Sequence, residues 1–294
     1  MNRIYFWIFV VFIFVYVENA KVQPVLKTGY ADIGKVKLYY EEMGSGYPVI
    51  MLHGGLIDRR MWDDQFELFA EKYRVIRYDA RNQGNTKAVA DTFYYYEDLH
   101  QLMKFLNLKK AVIMGLSLGG RTAIDFAISY PEEVSALILA APGLHGYDIN
   151  SEKVVENREK MNNAGRAGDL PGIIEYFQRS WTDGPSRTPD QVDPGVREKV
   201  RQMAEFAFSD WTNASRGQFM EPPALGRLNE IKAPTLAVVG DLDMPDILEI
   251  VDILEKNVAG AKKVVINDAA HMLNMEKPEE FNKVVLDFLS ELGF

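Results

Sequence analysis

The chain has 294 residues, 47% of them hydrophobic and 26% charged, with a formal net charge of −9. That is enough for a substantial core in one or two domains, and an acidic balance without a long basic run excludes nucleic acid as the main partner. There are no cysteines, which excludes disulfides, thiolate metal sites and cysteine nucleophiles.

The first twenty residues differ from the rest. Arg3 precedes an unbroken apolar and aromatic run from Ile4 to Val17, followed by Glu18-Asn-Ala20. A basic start, a short apolar stretch and a small residue have the form of a secretory signal peptide. The run is short of the roughly 20 residues that span a bilayer comfortably. Glu18 stands where cleavage after Ala20 prefers a small residue, so an uncleaved anchor stays open. Residues 1–20 are therefore expected to be a signal peptide or an N-terminal anchor. The protein is expected to be exported (periplasmic or secreted) or membrane-anchored through residues 4–17, with a membrane as partner only in the second case. Asn213-Ala-Ser215 forms a glycosylation sequon, which matters only in a eukaryotic source.

Gly29 to Glu42 reads as a hairpin turning at Ile33-Gly34-Lys35. Pro48 to Leu52 is a continuous apolar run that suits a strand buried on both faces, and it ends in His53-Gly54-Gly55. Met61 to Lys72 has helical spacing, Tyr73 to Tyr78 is a strand ending at Asp79, and Tyr94 to Leu106 is a helix. Ala111 to Met114 is a buried strand that runs through Gly115-Leu-Ser117-Leu-Gly119 into a further helix, and Val134 to Ala141 is the next strand. This rhythm predicts a mostly parallel sheet with helices on both faces, an α/β class, with sites at the carboxyl ends of the strands. His53, Asp79 and Ser117 all fall at such ends. The rhythm then breaks. Helices are expected near Ser151, from Asp169 with Pro171 in its first turn, and from Asp193-Pro194, the last with a stripe of Val196, Val200, Met203, Ala207 and Trp211. Residues 144–228 thus read as a helical cap inserted into a core of residues 21–143 and 229–294. Thr235 to Val239 and Lys263 to Ile266 are the remaining strands, and Pro278 to Leu292 is an amphipathic final helix.

The spacing G-x-S-x-G between a buried strand and a helix is that of a turn so sharp that flanking side chains do not fit, with Ser117 in a strained conformation above the sheet edge. A serine hydroxyl needs a base. Of four histidines, His53 precedes two glycines and more plausibly shapes a loop, His100 lies mid-helix, and His145 starts the cap. His271 follows the last strand at the same sheet edge as Ser117, and is chosen. Its carboxylate partner should come from the strand ending at Val239, which delivers Asp241 and Asp243. Asp243 is better placed past the turn at Gly240, with Asp241 as the alternative. Asp79 and Arg81 read as a structural ion pair bracing their loop. The oxyanion donors should be the backbone N–H groups of Leu118 and Gly55.

These motifs (His53-Gly-Gly55, Asp79-Ala-Arg81, Gly115-Leu-Ser-Leu-Gly119, Gly240-Asp-Leu-Asp243 and His271, in the order Ser, Asp, His) resemble the α/β-hydrolase superfamily, from about Val25 to the end of the chain. Within it the core looks like the serine esterases and enol-lactonases. Relatives built on an aspartate nucleophile look less similar. The loop Asp79-Ala-Arg-Asn-Gln-Gly-Asn-Thr86 departs from a common Asp-x-Arg-Gly-x-Gly-x-Ser pattern at Asn82 and Thr86, which loosens assignment to one subfamily. The resemblance implies acyl transfer on a small-molecule carboxylic ester or lactone through an acyl-enzyme, with no metal or organic cofactor. Carbon–carbon hydrolysis of a diketone uses the same triad and is an alternative, as is a non-catalytic binding protein on the same fold. Trp181, Phe206, Phe208, Trp211 and Phe219 are candidates for an apolar pocket or, more ordinarily, for packing between cap helices. No individual substrate-binding residue is named by the sequence.

Overall fold

The computed structural model describes residues 25–87, 91–209 and 217–294. The expectations on residues 1–20, on the sequon at Asn213–Ser215 and on Trp211 lie outside the described residues.

Strands β1 (Lys27–Asp32) and β2 (Lys37–Met43) form the expected hairpin. Gly34, at φ +96°, makes its turn, and its N–H donates to Asp32 Oδ1 at 3.0 Å. The eight strands form one sheet in the order β1-β2-β4-β3-β5-β6-β7-β8. Its further members are β3 (Pro48–Leu52), β4 (Arg74–Tyr78), β5 (Ala111–Leu116), β6 (Val134–Ala140), β7 (Thr235–Gly240) and β8 (Lys262–Ile266). Pairing is antiparallel for β1 with β2 and β2 with β4, and parallel from β4 through β8. Every residue of β5 and β7 is buried, so strands covered on both faces carry apolar residues without alternation.

The order reverses at β3. Strand β4 lies on one side of it and β5 on the other, which opens a crevice at the carboxyl ends of β3 and β5. Leu52 pairs with Gly115, and Leu116 with Ala140, so the residues just beyond these strands are neighbours on one edge.

Helices α1 (Asp63–Ala70), α2 (Tyr95–Phe105) and α3 (Leu118–Ser129) connect the first parallel strands. Between β6 and β7 the chain forms α4 (Glu152–Ala167), α5 (Leu170–Trp181) and α6 (Pro194–Ser209). Asp169 caps α5 by accepting the Gly172 N–H, with Pro171 in the first turn. Helices α7 (Pro245–Asn257), α8 (Leu273–Glu276) and α9 (Pro278–Glu291) complete the molecule. α7 had no counterpart among the elements expected from sequence. Its Ile247, Ile250, Val251 and Leu254 are buried at helical spacing.

The loop after β4 overturns one expectation. Asp79 and Arg81 do not pair. Asp79 is fully buried and accepts from Arg59 (Nη1 at 2.8 Å, backbone N at 3.0 Å) and from the Asn85 N–H at 2.7 Å. Arg81 instead makes two bonds to Asp98 on α2, at 2.9 and 2.6 Å. Each of the two residues has its partner distant in sequence, Arg59 for Asp79 and Asp98 for Arg81. The two departures in this loop keep its geometry. Asn82 holds a left-handed φ of 67°, which asparagine tolerates better than most residues. The Thr86 hydroxyl donates to the Asp79 carbonyl at 2.7 Å and accepts the Tyr39 N–H at 2.9 Å, as a serine would.

Arg81 and Asp98 are 5% and 6% exposed. Asp98→Ala leaves a buried guanidinium without its carboxylate and is expected to cost about 3–5 kcal/mol. The double change Arg81→Met with Asp98→Leu should cost much less, and urea unfolding of both variants measures the difference.

Candidate active site

Ser117 joins β5 to α3 with φ 54° and ψ −109°, a backbone conformation that a residue with a side chain adopts only under constraint. The constraint is backbone packing. A Cβ on Gly115 would overlap the carbonyl of Gly119, one on Gly119 would overlap the Leu52 carbonyl of β3, and one on Gly120 would lie 2.7 Å from Pro142 Cβ. Glycine at all three positions lets α3 start against β3 and β6. The turn is pinned on both sides: the Ser117 N–H donates to Ala140 O at 3.1 Å, and Ser117 O accepts from Gly143 N at 2.9 Å.

His271 sits in the loop between β8 and α8, 1% exposed. Its Nδ1 lies 2.9 Å from Asp243 Oδ2, and Asp243 is 2% exposed. Asp243 is thus the acid in contact with the histidine, and Asp241 is exposed on the same turn. The Asp241 and Leu242 N–H groups donate to Ile266 O and Ala269 O at 3.0 and 2.9 Å, which ties the Asp243 turn to the His271 loop. Gly240 permits this approach, since a Cβ there would overlap the Ala269 carbonyl. With Nδ1–H donating to a carboxylate, the imidazole lone pair is on Nε2, and Nε2 has no hydrogen-bond partner among the described residues. Ser117 and His271 line one cavity.

That cavity has a volume of about 250 Å³, just below the roughly 300–1,000 Å³ of typical small-molecule sites. Gly55 and Leu118 line it. Neither backbone N–H donates to a protein acceptor among the described residues, whereas the neighbouring Leu56 N–H is taken by Gln83 Oε1 at 2.7 Å, which holds Leu56 at φ 62°. A Cβ on Gly55 would touch Leu118 at an ordinary 3.6 Å, so packing within the protein does not demand glycine there.

His53 has a role that sequence reasoning assigned only loosely. Its Nε2 accepts the Ala80 N–H at 2.9 Å, so the proton is on Nδ1, which donates to Gly54 O at 2.7 Å. In a trans peptide the Gly55 N–H is opposed to the Gly54 carbonyl. Anchoring that carbonyl therefore orients the N–H that faces the cavity.

Of the five aromatic candidates, Trp181 lines the cavity, its ring 4.7 Å from that of His271. Phe208 packs edge-on against Phe177, Phe219 packs against Tyr95 and His145, and Phe206 is exposed. Phe177, one turn before Trp181 on α5, lines the cavity and was missed, although the spacing places both on one face. Arg121 was missed for the same reason. It stands four residues after Ser117, on the same face of α3, and lines the cavity. Burial pulls its guanidinium below the ordinary arginine value, while Asp125 one turn on pulls it up. Burial likewise pushes the Asp125 carboxyl up to about 6, against the hydrogen bond it accepts from the Met220 N–H. A further unforeseen tie is Arg187, in the segment between α5 and α6, which bonds Glu276 at 2.6 Å while Glu276 accepts the Ala270 N–H at 2.9 Å beside His271.

The chain matches the family model of the alpha/beta hydrolase fold over residues 47–278. It is 27% identical over 271 residues (88% of this chain and 93% of the relative) to 2-hydroxy-6-oxo-6-phenylhexa-2,4-dienoate hydrolase of Comamonas testosteroni. It is 24% identical over 249 residues (83% and 90%) to 3-oxoadipate enol-lactonase 1 of Acinetobacter baylyi. Among solved structures, a thermophilic esterase from Thermogutta terrifontis superposes with a TM-score of 0.72 at 28% identity, covering 92% of this chain and 99% of that one.

The strain at Ser117 is measurable. Ser117→Gly should relieve about 1–3 kcal/mol of backbone strain against about 0.5–1 kcal/mol of added chain entropy. It is expected to be roughly 1 kcal/mol more stable than Ser117→Ala in chemical denaturation, and equal stability would remove the strain argument.

Proposed function

The chain belongs to the α/β hydrolase fold family, and from that premise we propose that it is a serine hydrolase cleaving a small carboxylic ester or lactone through an acyl-enzyme. The observation that carries this reading is the 2.9 Å pair of Asp243 with His271, whose Nε2 has no partner among the described residues, in the wall of the cavity that Ser117 lines. In the proposed cycle Ser117 Oγ attacks the carbonyl carbon as His271 Nε2 takes its proton. The Gly55 and Leu118 N–H groups receive the negative charge on the carbonyl oxygen. Asp243 holds the tautomer and stabilises the imidazolium. The alcohol leaves with the proton from His271. Water then attacks the acyl-enzyme, giving its proton to the same nitrogen, and the acid departs with Ser117 restored. Helices α4 to α6 are read as a cap that contributes Phe177 and Trp181 to the apolar wall. With residues 1–20 read as an export signal or anchor, the reaction takes place outside the cytoplasm or at a membrane surface.

Similarity to the Comamonas dienoate hydrolase favours one second reading, carbon–carbon cleavage of a diketone at the same serine. The two readings share the serine and histidine and differ in the bond broken.

A series of short to long p-nitrophenyl esters, beside a diketone, separates them with the chain lacking residues 1–20. Ester turnover should be lost in Ser117→Ala, and Asp243→Asn should reduce it by about 10⁴ through the wrong tautomer. Activity that survives Ser117→Ala refutes the assignment of the nucleophile. His53→Ala is expected to lower kcat by at least tenfold with little change in KM, because it frees the peptide that carries one oxyanion donor, whose complete removal typically costs about 10²–10³.

A further inference from the structure

Among the described residues, Arg121 is the only charged residue lining the cavity; Ser117, His271 and the indole N–H of Trp181 supply its other polar side-chain groups, and the remainder of the wall is apolar or glycine. The guanidinium lies close to Gly143, against the turn that holds Ser117, and both residues line the cavity. A Cβ on Gly143 would be 3.1 Å from Arg121 Nε and 3.2 Å from Nη2, while also 3.4 Å from the Ser117 carbonyl. Glycine at 143 keeps this ground clear, so the charged group packs directly against the turn that holds Ser117.

Among the described residues, five other arginines largely withdrawn from solvent are each paired with a carboxylate. Arg59 bonds Glu41 and Asp79, Arg77 bonds Glu41 and Asp63, Arg81 bonds Asp98, Arg187 bonds Glu276, and Arg197 bonds Asp183 and Glu175. Arg121 makes no ion pair and no side-chain hydrogen bond among the described residues, and its Nε is buried without a partner. What it has is the Phe219 ring at 4.5 Å and the field of Asp125. A cation over an aromatic face recovers only part of what desolvating the ion costs. A structural arginine would have been given a carboxylate, as the other five were.

We propose that Arg121 recognises a carboxylate on the substrate, so that the natural substrate is an anionic ester or lactone whose free carboxylate lies within a few bonds of the scissile carbonyl. The planar fork of donors suits a carboxylate received at two nitrogens. The short distance from Arg121 to Ser117 along one helical turn limits the separation between carboxylate and reacting carbon. Recognition of this kind selects sharply, because a neutral analogue leaves the guanidinium desolvated and unpaired. This inference rests on the hydrolase reading of Ser117 and adds the class of its substrate.

The experiment compares matched pairs on each side of the ester bond: mono-(4-nitrophenyl) glutarate against 4-nitrophenyl pentanoate, with the charge on the acyl side, and 3-carboxyphenyl butyrate against phenyl butyrate, with the charge on the alcohol side. The wild-type protein should favour the anion at least tenfold in kcat/KM in one of the two pairs, which identifies the side. Arg121→Gln should lower that anion-to-neutral ratio at least tenfold, chiefly through KM, and Arg121→Lys should retain part of it. A ratio unchanged in Arg121→Gln overturns the proposal and leaves Arg121 a packing residue on Phe219. Binding of monomethyl glutarate and dimethyl glutarate to Ser117→Ala protein, with and without Arg121→Gln, reads the same preference by calorimetry without turnover. Absence of any ester hydrolysis by the wild type would overturn the function proposed above, and the calorimetric preference, present or absent, would still decide the role of Arg121.

Discussion

The approach of α3 to the ends of β3 and β5 is the constraint on which the rest of this structure depends. Three glycines permit it, and each would put a Cβ into a neighbouring group, two of them into backbone carbonyls. The approach has two consequences that do not come separately. It forces Ser117 into a conformation that costs free energy, and it sets the first N–H groups of a helix beneath the side chain that the turn projects. The Leu118 N–H has no acceptor among the described residues, and neither has that of Gly55, which lines the same cavity. On the function proposed above, the place for developing negative charge follows from how the sheet switches direction between β3 and β5.

Around that turn the molecule spends its polar contacts on fixing backbone. His53 clamps one peptide of the β3 loop against Ala80. Asp79 gathers the Arg59 and Asn85 N–H groups, and a Cβ on Gly84 would overlap its carboxylate. Gln83 holds the strained Leu56. These contacts link the loop after β4 to the loop after β3, although neither residue of the Asp243–His271 pair belongs to either. Burial of Asp79 raises its carboxyl above the ordinary value, with the Arg59 guanidinium beside it opposing, and three N–H donors surround it.

The features legible in sequence were those fixed by local pattern. Strand ends, the hairpin at Gly34, the turn at Ser117 and the starts of α5 and α6 each depend on a few consecutive residues. Features that depend on which side a loop residue faces were not legible. Asp79 and Arg81 are two residues apart and found separate partners, Arg59 and Asp98, 20 and 17 residues away. The contact of Asp243 with His271, on a turn tied by bonds to Ile266 and Ala269, is one that no spacing rule contains. Phe177 and Arg121 were within reach of helical spacing, one turn from Trp181 and Ser117. A phenylalanine and an arginine on a helix are ordinarily core and surface, so spacing alone does not single them out. The departures at Asn82 and Thr86 read as doubts in sequence and as equivalents in structure: one residue supplies the positive φ, the other the hydroxyl.

The inserted helices are joined to the site by chemistry as well as by packing. Trp181 at the end of α5 lies against the His271 ring, and six residues later Arg187 reaches Glu276, which also receives the Ala270 N–H. Arg187 and Glu276 have side chains only 11% and 6% exposed, so this pair is shielded from solvent and salt. The residue adjacent to His271 is thus held through a carboxylate that is itself held by the inserted segment. A displacement of α5 would move a wall of the cavity and loosen the loop that carries His271 at the same time. A substitution at Trp181 or Arg187 would therefore act on the loop that carries His271 as well as on the shape of the cavity.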